Sequence, residues 1–280
     1  MQNERFFLIL IFLLLKGALL ANKNSEEEDR KSSAVKNFNE IEITIVYDNN
    51  PFNTKLKNAW GFSCVIQGLE KTILFDTGGD GEVLISNMKK LNINLKKIDV
   101  IFLSHEHWDH TTGLNDFLKE NKEVTVCLLP SFSENIKKKI INAGAKLLEI
   151  KSPTYLWDRV GSTGELGSEV KEQSLVIKTD KGLVIITGCA HPGIVQILKK
   201  AKEYFKQDIY QVIGGFHLGD FSYNEIKEIL QQFRKLGVKK VGPCHCSAVH
   251  CQELFRKEYQ KDYLEMGTGK TIKFKIKGGE

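Results

Sequence analysis

Residues 104–110 read S-H-E-H-W-D-H and hold three of the chain's seven histidines together with Asp109. Imidazole nitrogen and carboxylate oxygen are good ligands for a borderline divalent ion such as zinc. The spacing limits how these groups can act together. On one helix His105 and Asp109 would share a face and His107 and His110 another, so a single helix would split the set. A strand end that turns into a loop can bring all four side chains around one small space, an arrangement that suits two adjacent metal ions. A lone histidine would read as an ordinary surface or core residue, and Asp109 or Thr111 as the N-cap of the next helix. Four such groups this close together favour the metal.

The elements that must position them follow from apolar patterning. The run 98–103 leads into the cluster and reads as a buried strand. Before it, residues 41–47 are β-branched and partly alternating, and 60–67 with 72–75 read as a hairpin around Gly68. The second of these strands ends in Phe75-Asp76-Thr77-Gly78-Gly79. A carboxylate there, ahead of two glycines that permit a sharp turn, can accept backbone N–H bonds and hold the ligand loop. Residues 80–91 have helical spacing, and 114–119 continue as helix after the cluster. Residues 124–129 and 146–150 read as strands, with a helix between them capped by Ser131 or Ser133 and stopped by Gly144. The stretch 151–171 is an exposed loop or hairpin, in which Trp157 and residues 161–167 form either a flap over a pocket or a plain connection. A second hairpin, 174–178 with 183–187, ends in Gly188-Cys189-Ala190-His191-Pro192-Gly193. Helix 194–205, strand 209–213, helix 224–236 and strand 238–241 come next. Helix 249–259 and strand 271–276 finish the chain. His105, His191, His217 and His245 each follow an apolar strand, and strand ends are where α/β proteins build sites.

H-x-H-x-D-H after an apolar strand resembles the signature of the metallo-β-lactamase-fold hydrolases, and further matches run from about Glu42 to His245. The resemblance implies an α/β fold with two sheets face to face and helices outside, a four-layer αβ/βα sandwich. It implies that His105, His107 and His191 hold one metal ion and Asp109, His110 and His245 the other, with Asp76 a structural residue beside them. Many relatives carry a Gly-Asp whose aspartate bridges the two ions; here the matching place is Gly188-Cys189. Cys189 is then a thiolate ligand, a side chain behind the ligands or a buried thiol. His217 binds substrate, orients a ligand or is an ordinary hydrogen-bonded histidine. The segments around His191, His217 and His245 resemble the branch that includes the dihydropterin synthase of archaeal methanopterin biosynthesis. The expected activity is hydrolysis of a small-molecule ester or phosphoester, with one or two zinc ions (iron or manganese as substitutes) acidifying water and Asp109 orienting it. The alternatives are a dihydropterin-forming synthase, an iron redox enzyme and a non-catalytic metal-binding protein.

Composition and charge set the rest. The chain has 280 residues, 41% of them hydrophobic, and a net charge of +5. The lysines are scattered without a basic stripe of interleaved aromatics, so charge gives no indication of nucleic-acid binding. Arg5 precedes an apolar run over 6–15, and Ala18-Leu19-Leu20-Ala21 follows Lys16-Gly17. This fits a signal peptide over 1–21, an export-bound or extracellular protein, and a membrane contact only if the segment stays uncleaved as an anchor. Residues 22–39 read as a flexible charged linker, and 40–280 as the metallo-β-lactamase-like domain. Cys64, Cys127 and Cys189 sit in apolar segments. Cys244, Cys246 and Cys251 cluster in sequence, as a disulfide or as soft ligands.

Overall fold

The β-branched alternation of the first strand carries through to packing. Ile41, Ile43 and Ile45 of β1 (Glu40–Asp48) point into a core shared by two sheets. The computed structural model describes residues 40–276, so the leader and linker expected within 1–39 lie outside the described residues. The strands that follow are β2 (Phe62–Gln67), β3 (Ile73–Phe75), β4 (Val100–Phe102), β5 (Thr125–Leu128) and β6 (Lys146–Glu149). Then come β7 (Thr154–Trp157), β8 (Val160–Ser162), β9 (Leu175–Thr179), β10 (Gly182–Thr187), β11 (Ile209–Gly215), β12 (Lys240–Cys244) and β13 (Thr271–Lys275). One sheet runs β13-β1-β2-β3-β4-β5-β6 and the other β12-β11-β10-β9-β8-β7. Consecutive strands make the antiparallel pairs, except that β13 returns to pair antiparallel with β1. From β3 to β6, and from β10 to β12, the pairs are parallel, with helices in the crossovers.

The helices divide between the two outer faces. Helices α1 (Gly81–Lys90), α2 (Trp108–Thr111), α3 (Leu114–Glu120) and α4 (Glu134–Ala143) belong to the first half. Leu84, Met88, Phe117 and Ile140 from these helices pack with Val65, Leu74, Ile101 and Val126 on the outer face of the first sheet. Helices α5 (Ile194–Phe205), α6 (Tyr223–Leu236) and α7 (Val249–Tyr259) cover the second sheet through Ile197, Leu198, Phe233 and Phe255. Between the sheets, Phe62, Phe75 and Phe102 meet Leu175, Val184, Ile186 and Ile213. That is the four-layer αβ/βα sandwich that the resemblance implies. The caps are local and legible. Ser133 accepts from Ile136 N–H and Gly144 closes α4 in the left-handed region. Ser222 and Glu225 form a capping box on α6, ended by Gly237.

The architecture brings strand ends together. Phe75 pairs with Phe102, Thr187 with Gly214, and Gly215 with Cys244. Asp76, Ala190, His217 and His245, just past β3, β10, β11 and β12, all have positive φ. Left-handed backbone at non-glycine residues costs about 1–3 kcal/mol each and persists where the surroundings dictate it. Here it turns four successive chain segments toward one end of the sandwich.

Candidate metal centre

The 104–110 segment leaves β4 as extended chain and becomes helical only at Trp108. His107 is the N-cap residue of α2 but gives no side-chain cap bond. The expectation of a loop is therefore met only up to His107. Asp109 and His110 ride on a single helical turn, fastened by His110 N–H to the His107 carbonyl at 3.1 Å. Neither Asp109 nor Thr111 is an N-cap. His105, buried, and His107 precede the turn that carries Asp109 and His110.

Two sets of donor atoms result. His105 Nε2 and His191 Nε2 each lie 3.1 Å from His107 Nδ1. In the second set, Asp109 Oδ2 lies 3.2 Å from His245 Nε2 and 3.8 Å from His110 Nε2. Cys189 Sγ is 3.2 Å from the same His110 nitrogen. Within each set the donor atoms all fall within 4.8 Å of one another. The structure so gathers His105, His107 and His191 in one group and Asp109, His110, His245 and Cys189 in the next. The two groups touch through the His105 and His110 rings, whose centroids are 4.3 Å apart.

The donors fit a divalent ion. His245 Nε2 is buried and has no hydrogen-bond partner: Asp109 Oδ2 is near it but off the line of a hydrogen bond. An orphaned buried nitrogen costs free energy unless something electrophilic meets it. Burial, reinforced by the neighbouring imidazoles, holds His105 well below the usual histidine range and His191 down to about 3. Burial lowers His107 as well. Neutral imidazole is the form that binds metal. Burial works to raise Asp109, but the His245 and His110 rings outweigh it and hold the carboxyl at about 2. His110 differs. Burial lowers it, yet the Asp76 carboxylate prevails and raises it.

Other side chains fix these donors. Asp76, fully buried, accepts from Ser104 N–H and Ser104 Oγ and meets His110 Nδ1, each at 2.7 Å. It therefore grips both ends of the motif. Glu172 and Asn49 carry no motif in the sequence, and Cys246 is there one of three clustered cysteines, a disulfide partner or a soft ligand. Glu172, 1% exposed, takes the N–H groups of Gly188, Cys189 and Ala190 on Oε1 and that of His191 on Oε2. Burial pushes its carboxyl up, to about 7, against the pull of those donors. Asn49 Oδ1 lies 2.8 Å from His245 Nδ1. Cys246 contacts both the Cys189 thiol and the His217 ring; the Cys189 contact, first, holds it well below the ordinary thiol range. Asp48-Asn49-Asn50 breaks the first strand in the sequence, and Glu172 lies just past the 151–171 loop with no motif around it.

His217 is exposed, its ring 4.3 Å from that of His191. Both line a cleft of about 520 Å³ with Gly167, Glu169, Val170 and Gln196. Gly167 thus borders the site, while Trp157 lines a different cleft with Lys71, Asp99 and Lys122 and forms no flap here. The three clustered cysteines separate. Cys244 lies between the sheets, Cys251 under the outer helices, and only Cys246 reaches the site. All six cysteines are free.

The sequence profile described as the metallo-beta-lactamase superfamily matches residues 61–245, from the strand before Asp76 to His245. The chain belongs to the metallo-beta-lactamase superfamily. Among curated relatives of this metallo-beta-lactamase chain is the 7,8-dihydropterin-6-methyl-4-(beta-D-ribofuranosyl)-aminobenzene-5'-phosphate synthase of Methanocaldococcus jannaschii. It is 33% identical over 280 residues, covering 82% of this chain and 95% of the synthase. Among solved structures, Tm1679, a metal-dependent hydrolase of the beta-lactamase superfamily, is 26% identical with a TM-score of 0.71, over 85% of this chain and 99% of that one. YhfI from Bacillus subtilis, a metallo-beta-lactamase fold protein, is 13% identical with a TM-score of 0.60, over 84% and 100%. The last likeness speaks for the fold alone.

Proposed function

We propose that this chain is a metal-dependent hydrolase acting on an ester or phosphoester bond of a small molecule, with zinc as its metal. The observation that carries the reading is the convergence of the two donor sets at the strand ends, with a buried ring nitrogen on His245 left unpartnered. His105, His107 and His191 would hold one ion, and Asp109, His110 and His245, with Cys189, a second. A divalent cation there supplies Lewis acidity toward water and toward the oxygen of the scissile group. Asp109, ionised at neutral pH, accepts a hydrogen bond from the attacking water and orients it. Asp76 and Ser104 hold the motif, Asn49 fixes the His245 ring, and Glu172 fixes the segment that carries Cys189 and His191. The cleft beside His191 and His217 offers a polar recess for the substrate. On the other side the exposed Trp60 ring stands 5.2 Å from that of His245 and offers an apolar wall.

The test is turnover of zinc-loaded protein in a screen of phosphodiesters, phosphomonoesters, carboxylic esters and lactones. His107→Ala and Asp109→Ala should abolish it while leaving the fold intact. Wild-type turnover in purified His107→Ala would overturn the site assignment. A second reading, a dihydropterin-forming synthase, is favoured by the 33% identity across 95% of the Methanocaldococcus jannaschii enzyme. Incubation with a ribofuranosyl-aminobenzene phosphate and a dihydropterin diphosphate separates the two: a coupled pterin product supports the synthase, while water as the only acceptor supports the hydrolase.

A further inference from the structure

β10, β11 and β12 are neighbours in parallel register, with Thr187 opposite Gly214 and Gly215 opposite Cys244. Cys189, His217 and Cys246 each stand two residues past the end of their strand, at Thr187, Gly215 and Cys244. The sheet therefore places them side by side as a matter of topology. Their Sγ and ring-nitrogen atoms all lie within 4.8 Å of one another. Gly215 leaves the room between the strands: a Cβ there would come 2.6 Å from Cys246 Sγ and 3.1 Å from Cys189 Cα. The left-handed backbone of Ala190 and His217 directs the flanking segments around this point. The trio lies beside the two donor sets already described and shares Cys189 with the second of them.

We propose that Cys189, His217 and Cys246 form a third, thiolate-rich metal site that binds a borderline or soft cation such as Zn2+. Two sulfurs and one imidazole match the donors of three-ligand zinc sites that keep a fourth position open. Hard cations such as Mg2+ and Ca2+ prefer oxygen and would be rejected. His217 lines the cleft of about 520 Å³, so the remaining position of an ion held there faces the space where a substrate would enter. Cys189 Sγ is 3.2 Å from His110 Nε2 and within reach of Cys246, which suits a sulfur shared between two adjacent ions. The site stands whether the chemistry is hydrolytic or synthetic.

The experiment is a cobalt(II) titration of reduced, metal-free full-length protein under argon, followed by the near-ultraviolet thiolate-to-cobalt absorption and by bound cobalt per chain. Wild type should show the thiolate band. Cys246→Ser should bind one cobalt fewer and keep only the weaker band of Cys189 on the neighbouring ion. His217→Ala, at an exposed position, should also bind one fewer. His107→Ala should bind one fewer with the thiolate band unchanged, which reports on the histidine site separately. An unchanged band and stoichiometry in Cys246→Ser would overturn the proposal, as would no thiolate band in wild type.

Discussion

Replacing Glu172 should damage the site more than any residue of its exposed surface, through bonds that the sequence does not advertise. Its carboxylate, 1% exposed, takes four backbone N–H groups from Gly188 to His191 at 2.9 to 3.1 Å. A buried N–H left without an acceptor costs about 1–3 kcal/mol, so four cost roughly 4–12 kcal/mol if none is repaired. Water entering the vacated space repairs some of them, which places Glu172→Ala near the lower end, at about 4 kcal/mol. Whole domains hold only about 5–15 kcal/mol. For a chain of this size each kcal/mol moves the melting temperature by about 2–4 °C, so Glu172→Ala should melt roughly 8–16 °C lower. Glu172→Gln is the discriminating control. Its amide oxygen can keep the three bonds now made by Oε1, leaving an NH2 group facing the His191 N–H, at a cost of about 1–3 kcal/mol. Scanning calorimetry of the metal-free proteins reads both. A Glu172→Ala protein that melts within about 2 °C of wild type would refute the claim that this carboxylate holds the 188–191 segment.

Asn49→Ala should weaken binding of the ion held by Asp109, His110 and His245 by about 10–100-fold, because partners that orient a ligating histidine have effects of that size; equal affinity in a competition titration would sink the idea that Asn49 orients His245. Gly61→Ala should lower turnover, since a Cβ at φ +137° would sit 2.4 Å from the Asp109 carbonyl and push the ligand turn; unchanged kcat and KM would count against that. Elemental analysis of protein purified without chelator should find zinc, and its removal should lower the melting temperature, as loss of any ligand that binds only the folded state does; a folded, active, metal-free sample would contradict the proposed chemistry. If residues 1–21 are a signal peptide, a cell expressing the full chain should export it with a new N-terminus after Ala21; intact full-length protein held in the membrane would point to the anchor instead.

Much of the frame was legible because its causes are local. Helix α5 has the bounds its apolar spacing gives, and Ser133, Gly144 and Gly237 act as the caps and stops that their chemistry suggests. The strand ends are where local reading fails, and they are also where the site lies. Pro243 reads as a breaker, yet β12 runs through it to Cys244. The sheet order explains this: β12 is an edge strand, where a residue without an N–H can be tolerated. Gly214 and Gly215 read as loop, yet they extend β11, because at Gly214 a Cβ would lie 2.1 Å from the Thr187 carbonyl and at Gly215 one would meet Cys246. Each extension moves a donor relative to its neighbours, so that His217 stands level with Cys246 and one residue beyond Cys189. The histidines and Asp109 could be read from composition because imidazole and carboxylate are scarce in such density without a ligand. Glu172 and Asn49 could not, because each is an ordinary residue until the sheets pair, and Cys246 is legible only as one of three clustered cysteines. What brings them to the candidate site is register, and register is a property of strands far apart in the chain.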